Sequence, residues 1–359
     1  MCVKQCLFSI LATLLSASCA IGQEISTEPP NRVVGELSAH RQGGWEVGTE
    51  ALFVVPRFES NPAFFVTARN INPSLQPAPQ PPINSQTVEE FDYDMSYAPR
   101  LWVSFTAESG IGGRVRWCRF DRDANELQVV NPVLPLGSTT LFQSISSTSP
   151  LMAISPSTAL PGVNSIQTQG VPGNNDQLSF RSNLSIEMWD VDGTFSGLGT
   201  EQWSFELFGG LRFAKIRQGY TANSVGTIPQ FLTSAQSYEG VGPTIGLNGR
   251  RRFGGTGISA YGVGRITFLF GEDEHVSSGL NIGLIPDFTY AFHDNRSSRE
   301  RILPVIDIEM GVEGTQPIGD LEAFARVGVF SQLLPLGSGA NGNGNAGFIG
   351  INAGAGFRF

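Results

Sequence analysis

Beyond residue 40, apolar and polar residues alternate with a period of two. A period of two sends successive side chains to opposite sides of a strand. The pattern therefore excludes a helical fold and requires a sheet with two chemically different faces. Ten strands are predicted, over residues 44–58, 91–107, 111–124, 178–195, 201–218, 237–252, 256–271, 300–317, 319–332 and 346–359. In the last of them Ile349, Ile351, Ala353, Ala355, Phe357 and Phe359 share one face, and Gly350, Asn352, Gly354, Gly356 and Arg358 share the other.

The links between these strands alternate in length. Short ones fall at 107–111, 195–201, 252–256 and 317–319, and long ones at 59–90, 125–177, 219–236, 272–299 and 333–345. Short periplasmic turns and long outer loops characterise outer-membrane barrels, and an even strand count returns both termini to the periplasmic side. Residues 72–82, rich in proline, favour extended polyproline conformations, and 144–177 and 337–347 read as loops. Residues 278–293 are apolar enough to form strand. They give either an extracellular hairpin in the fourth long link or, with an unrecognised partner, a count of twelve.

A spanning sheet must close on itself, because lipid cannot hydrogen-bond an exposed strand edge. The expected fold is thus all-β: a closed antiparallel transmembrane β-barrel of about ten strands over residues 44–359. Closure brings the polar faces together. The expected lumen-lining residues are Arg100, Arg114, Arg116, Glu187, Glu206, Arg212, Arg250, Arg265, Asp307, Glu309, Glu322 and Arg326, with Glu46, Glu50 and Glu313 among the acids. Charges of both signs imply a paired network, and in a barrel of this size side chains fill much of the interior. A narrow or closed pore is expected rather than a wide channel. A soluble two-sheet sandwich would show the same alternation and stands as the competing architecture.

Residues 1–22 read as a secretory signal. Lys4 precedes the apolar run Leu7–Leu15, and small residues follow at Ser18-Cys19-Ala20 and Ala20-Ile21-Gly22. Residues 23–43 are then a periplasmic segment. Three of the four cysteines lie in the signal, which leaves Cys118 alone and excludes an intrachain disulfide framework. The net charge of −9 argues against a nucleic-acid partner. Only Lys4 and Lys215 are lysines, and arginine's planar fork suits fixed pairing with carboxylates in a confined space.

The segment Gly347-Phe-Ile-Gly-Ile-Asn-Ala-Gly-Ala-Gly-Phe-Arg-Phe359 resembles the closing strand of outer-membrane proteins. With Gly110-Ile-Gly-Gly-Arg-Val-Arg-Trp-Cys-Arg-Phe-Asp121, Leu207-Phe-Gly-Gly-Leu-Arg-Phe-Ala214 and Gly242-Pro-Thr-Ile-Gly-Leu-Asn-Gly-Arg250, it is similar to porins and major-outer-membrane-protein-like chains, especially those of planctomycete-type bacteria. The resemblance implies residence in the bacterial outer membrane and passive passage of small solutes or ions. It also implies that Phe357 and Phe359 act as a signal to the barrel-assembly machinery. It brings no catalytic residues and no cofactor.

Chemistry-bearing motifs are sparse. Only His40, His275 and His293 are histidines. Glu272-Asp273-Glu274-His275 reads as a solvated acidic tip rather than a cation site. Asp121-Arg-Asp123-Ala-Asn125 opens like a calcium loop, but Glu126 stands where that loop needs glycine. Asp190-Val-Asp192-Gly193 reads as turn chemistry. No enzymatic activity, metal or cofactor is expected. The leading expectation is a porin-like barrel with outer-membrane lipid as its surroundings. Its alternative is a structural or adhesive barrel with a plugged lumen and partner-binding outer loops. Homo-oligomerisation stays open.

Overall fold

The computed structural model describes residues 43–70, 83–130, 152–154, 177–200, 202–225, 230–254, 256–283, 289–336, 340 and 345–359. The signal peptide, residues 23–42 with His40, the polyproline stretch and most of 144–177 and 337–347 lie outside them. Ten strands form the wall: β1 (Gly44–Phe58), β4 (Ser96–Thr106), β5 (Ile111–Asp123), β8 (Gln177–Gly199), β9 (Trp203–Val225), β10 (Gln230–Arg252), β11 (Ile258–Gly283), β12 (Thr289–Ile318), β13 (Leu321–Leu334) and β14 (Ala346–Arg358). Each pairs antiparallel with the next, β5 pairs with β8, and β14 returns to β1, so the ring closes. The count is ten, and the sandwich is ruled out because its sheets would end in edges. Short strands β2 (Pro62–Asn70), β3 (Ile83–Glu90) and β7 (Met152–Ile154) make a separate three-stranded sheet within the links, and β6 (Leu127–Val130) extends the pairing of β8.

Closure runs through the first and last strands, from Glu46 opposite Arg358 to Phe58 opposite Ala346. Beyond that ladder, Trp45 and Phe359 exchange backbone hydrogen bonds of 2.6 and 2.9 Å. At the same end lie the tight turns. The shortest is Gly319-Asp320, where Gly319 takes a φ of +62° that favours glycine.

Two of the long links are corrected. Residues 219–236 and 272–299 are largely strand: β9 and β10 are 23 residues each, and β11 and β12 are 26 and 30. Residues 278–293 are the far part of the β11–β12 hairpin, whose ladder reaches Gly283 opposite Thr289. The strands continue past the point where their outward faces turn polar. That change marks the end of the lipid-facing band and not the end of the sheet.

Candidate functional site

The barrel interior has two layers. Toward the tight turns it is ionic. Glu50 on β1 has no exposed side-chain surface and binds Arg100 of β4 at 2.7 Å, Arg326 of β13 at 3.1 Å and Asn352 of β14 at 2.7 Å. Arg100 reaches across to Glu309 of β12 at 2.6 Å. Asp190 of β8 gathers three guanidiniums: Arg116 at 2.7 Å, Arg212 at 2.6 Å and Arg265 at 3.0 Å. Arg212 also binds Asp307 at 2.6 Å, and Arg265 binds Asp192 at 2.7 Å. Arg212 and Arg265 keep only 1% of their side-chain surface exposed. Arg100–Glu309, Glu50–Arg326, Arg212–Asp307 and the two Arg265 pairs join strands that are not neighbours in the ring, so these side chains meet across its interior.

Nearest the turns, Arg358 binds Glu46, Glu313 and Glu322 at 2.5 to 2.9 Å, Arg250 binds Glu313 at 3.2 Å, and Arg114 bridges Asp192 and Glu206. Aromatic rings separate the charges. Arg326 lies over Trp102 at 4.3 Å, Arg358 over Phe324, and Arg114 and Arg265 share Phe208. Gly48 makes room for the Trp102 ring, since a Cβ there would lie 2.1 Å from it. Taking charges out of water is costly unless each finds partners, and this layer supplies several apiece.

Toward the long hairpins the interior is largely apolar, with Gln218, Gln236 and Asp273 also buried there. Leu52, Val54, Phe120, Ile186, Leu303, Phe330 and Phe348 belong to one buried cluster. The β1–β4 link contributes Phe64, Phe91 and Tyr93 to it. Phe64 stacks on Phe180 at 4.7 Å, the Tyr220 hydroxyl donates to the Ala63 carbonyl at 2.8 Å, and Tyr93 and Ser182 share a hydrogen bond. The expected lumen-lining residues were all charged, and these apolar side chains were not among them. Between the layers lies a cavity of about 40 Å³, bounded by Arg100, Arg116, Cys118 and Asp307 below and by Leu52, Phe120 and Phe348 above. That is room for a few water molecules.

One expected interior residue is misplaced. Glu187 lies on the outward face, where the indole N–H groups of Trp117 and Trp189 donate to it at 3.2 and 3.3 Å. The parity of β8 explains this: Ile186, Met188, Asp190 and Asp192 are buried, whereas Trp189 and Val191 are exposed. Asp190 and Asp192 are therefore mid-strand hubs and not turn residues. Period-two counting from Trp189 reveals them in the sequence. Asn352 and Arg358 also join the network; both stand on the polar face of the final strand. Among the described residues no cluster of potential metal ligands occurs.

Outside, the wall carries an apolar band that includes Val191, Leu211, Phe213, Ile245, Phe268, Val327 and Ile351. A closed sheet with this band and a filled interior is built for a bilayer. The family described as Legionella pneumophila major outer membrane protein precursor matches residues 38–322. The chain belongs to that family. It is an outer-membrane β-barrel, in agreement with the major-outer-membrane-protein-like resemblance of its strands.

No curated protein matches the chain. Among solved structures it is similar to the outer membrane protease OmpT from Escherichia coli, at 9% identity and a TM-score of 0.43, covering 90% of this chain and 99% of that one. It is also similar to a Pseudomonas aeruginosa FadL homologue, at 6% identity and a TM-score of 0.24, and to the P. putida toluene transporter TodX, at 8% and 0.19. Each of these two alignments covers 90% of this chain and 91% of the other. The expectation that the chain is no enzyme is corrected here. Against it stands the likeness to a barrel that is itself a protease. The likeness is too distant to assign a reaction.

Proposed function

We propose that this protein is a plugged outer-membrane barrel with a structural or surface-binding role, closed to solutes in its resting state. Its tight turns and both ends of the ring face the periplasm, and its long hairpins stand outside the cell. The observation that carries this reading is the pairing of buried charges from opposite walls, Arg100 with Glu309 and Arg212 with Asp307 at 2.6 Å each. The apolar cluster above them adds a second barrier, because a hydrated ion crossing it would lose its water without replacement. The links between β1 and β4 and between β5 and β8 are then the parts available to a partner.

The test is osmotic swelling of proteoliposomes that hold the folded, heat-modifiable protein. Swelling rates in small sugars should equal those of protein-free liposomes. Uptake that falls steadily with sugar size would instead show an open pore. A porin-like second reading draws on the cavity beside Cys118, which rearrangement of the ionic layer would have to connect to both ends.

A further inference from the structure

On the outward face, the register sets Arg119, Glu187, Lys215, Glu239, Glu272 and Glu300 side by side across β5 and β8–β12. From that charged row to the tight turns, the outward residues of these strands are uncharged with one exception, Arg251. Its neighbours Arg250 and Arg252 have the opposite parity on β10.

Arg251 is held in place by rings. Its guanidinium carbon lies 5.2 Å from the centre of the Trp203 ring and 5.9 Å from that of Phe253. Trp203 in turn stacks on Phe205 with 6° between the planes. Among the described residues, Arg251 makes no ion pair and no side-chain hydrogen bond. A stacked guanidinium keeps its N–H edge free, and that edge matches the paired oxygens of a phosphate.

Its depth fits such a ligand. Twelve residues separate Glu239 from Arg251 on β10, roughly 40 Å at about 3.3 Å per residue. A strand tilt of about 40° reduces this to about 30 Å along the membrane normal, close to the thickness of the hydrocarbon core. If the charged row marks one headgroup level, Arg251 stands at the other.

We propose that Arg251, on its Trp203–Phe253 platform, binds the phosphate of a glycerophospholipid in the leaflet at the turn end. This rests on the membrane orientation given above. The test incubates folded, full-length protein in neutral detergent with phosphatidylglycerol or with a diacylglycerol of the same chains, and counts retained lipid by native mass spectrometry after washing. Wild type should keep phosphatidylglycerol and lose diacylglycerol. Arg251→Gln should keep about fivefold less phosphatidylglycerol, and Arg217→Gln, near the opposite charged row, as much as wild type. Equal retention by Arg251→Gln and wild type would overturn the site, and so would equal retention of the two lipids by wild type, a comparison that stands even if the variant folds poorly. Failure of the wild type to show heat-modifiable mobility would strike the barrel reading instead.

Discussion

At the scale of single residues, Asp190 and Glu187 make a sharp contrast. They lie three positions apart on β8, yet Asp190 holds three buried guanidiniums while Glu187 faces outward between two indoles. Asp190→Asn leaves buried positive charge uncompensated and should cost about 3–5 kcal/mol. Glu187→Gln should cost less than about 1 kcal/mol. Denaturant unfolding in micelles, followed by tryptophan fluorescence, gives both numbers. Most of the arginines of the interior were legible from strand parity. Asp190 was hidden because two aspartates before a glycine look like a turn, and only their phase against Trp189 and Val191 shows otherwise. His275, on the part of β11 beyond the lipid-facing band, supplies a pH test. Burial, reinforced by Arg299, outweighs Asp273 and holds its pKa below the ordinary 6.5. The folded barrel thus binds this proton less readily than the unfolded chain. The resulting penalty is absent above pH 6.5 and grows as pH falls toward the folded value. Melting temperatures at pH 7.5 and 5 should differ less for His275→Gln than for wild type.

At the scale of elements, the hairpins β9–β10 and β11–β12 reach far beyond the charged row that bounds the lipid-facing band. The alternation of apolar and polar residues finds strands well where one face meets lipid. It fades where the outward face becomes polar, as after Lys215 and Glu272, although the backbone ladder continues there. Replacing residues 277–295 by a two-residue Asn-Gly turn, which joins the paired Val276 and Arg296, should therefore leave membrane insertion and heat-modifiable mobility unchanged. Loss of insertion would show that the projecting ladder is part of the folding unit. Strand β14 should be far less tolerant. Phe359 pairs with Trp45 where the ring closes, so deleting Phe359 should lower the yield of inserted barrel, read as the heat-modifiable fraction in the outer membrane.

At the scale of the whole molecule, ring closure was legible because a lipid-facing sheet cannot leave its edges unpaired, whereas the strand count was legible only as ten or twelve. The sealing of the interior was only half legible. Charges on the polar faces announced the ionic layer. The apolar layer draws on Phe64, from a link whose proline-rich sequence shows no sign of folding inward, and on Phe91 and Tyr93, which were expected to open a strand that begins only at Ser96. Together the layers make a barrel whose walls are tied across its middle. Planar-bilayer recording of the folded wild-type protein tests this most directly. The predicted result is no step conductance above the bare membrane at 100 mV in several salts. A steady channel of defined conductance in every insertion would contradict the sealed interior.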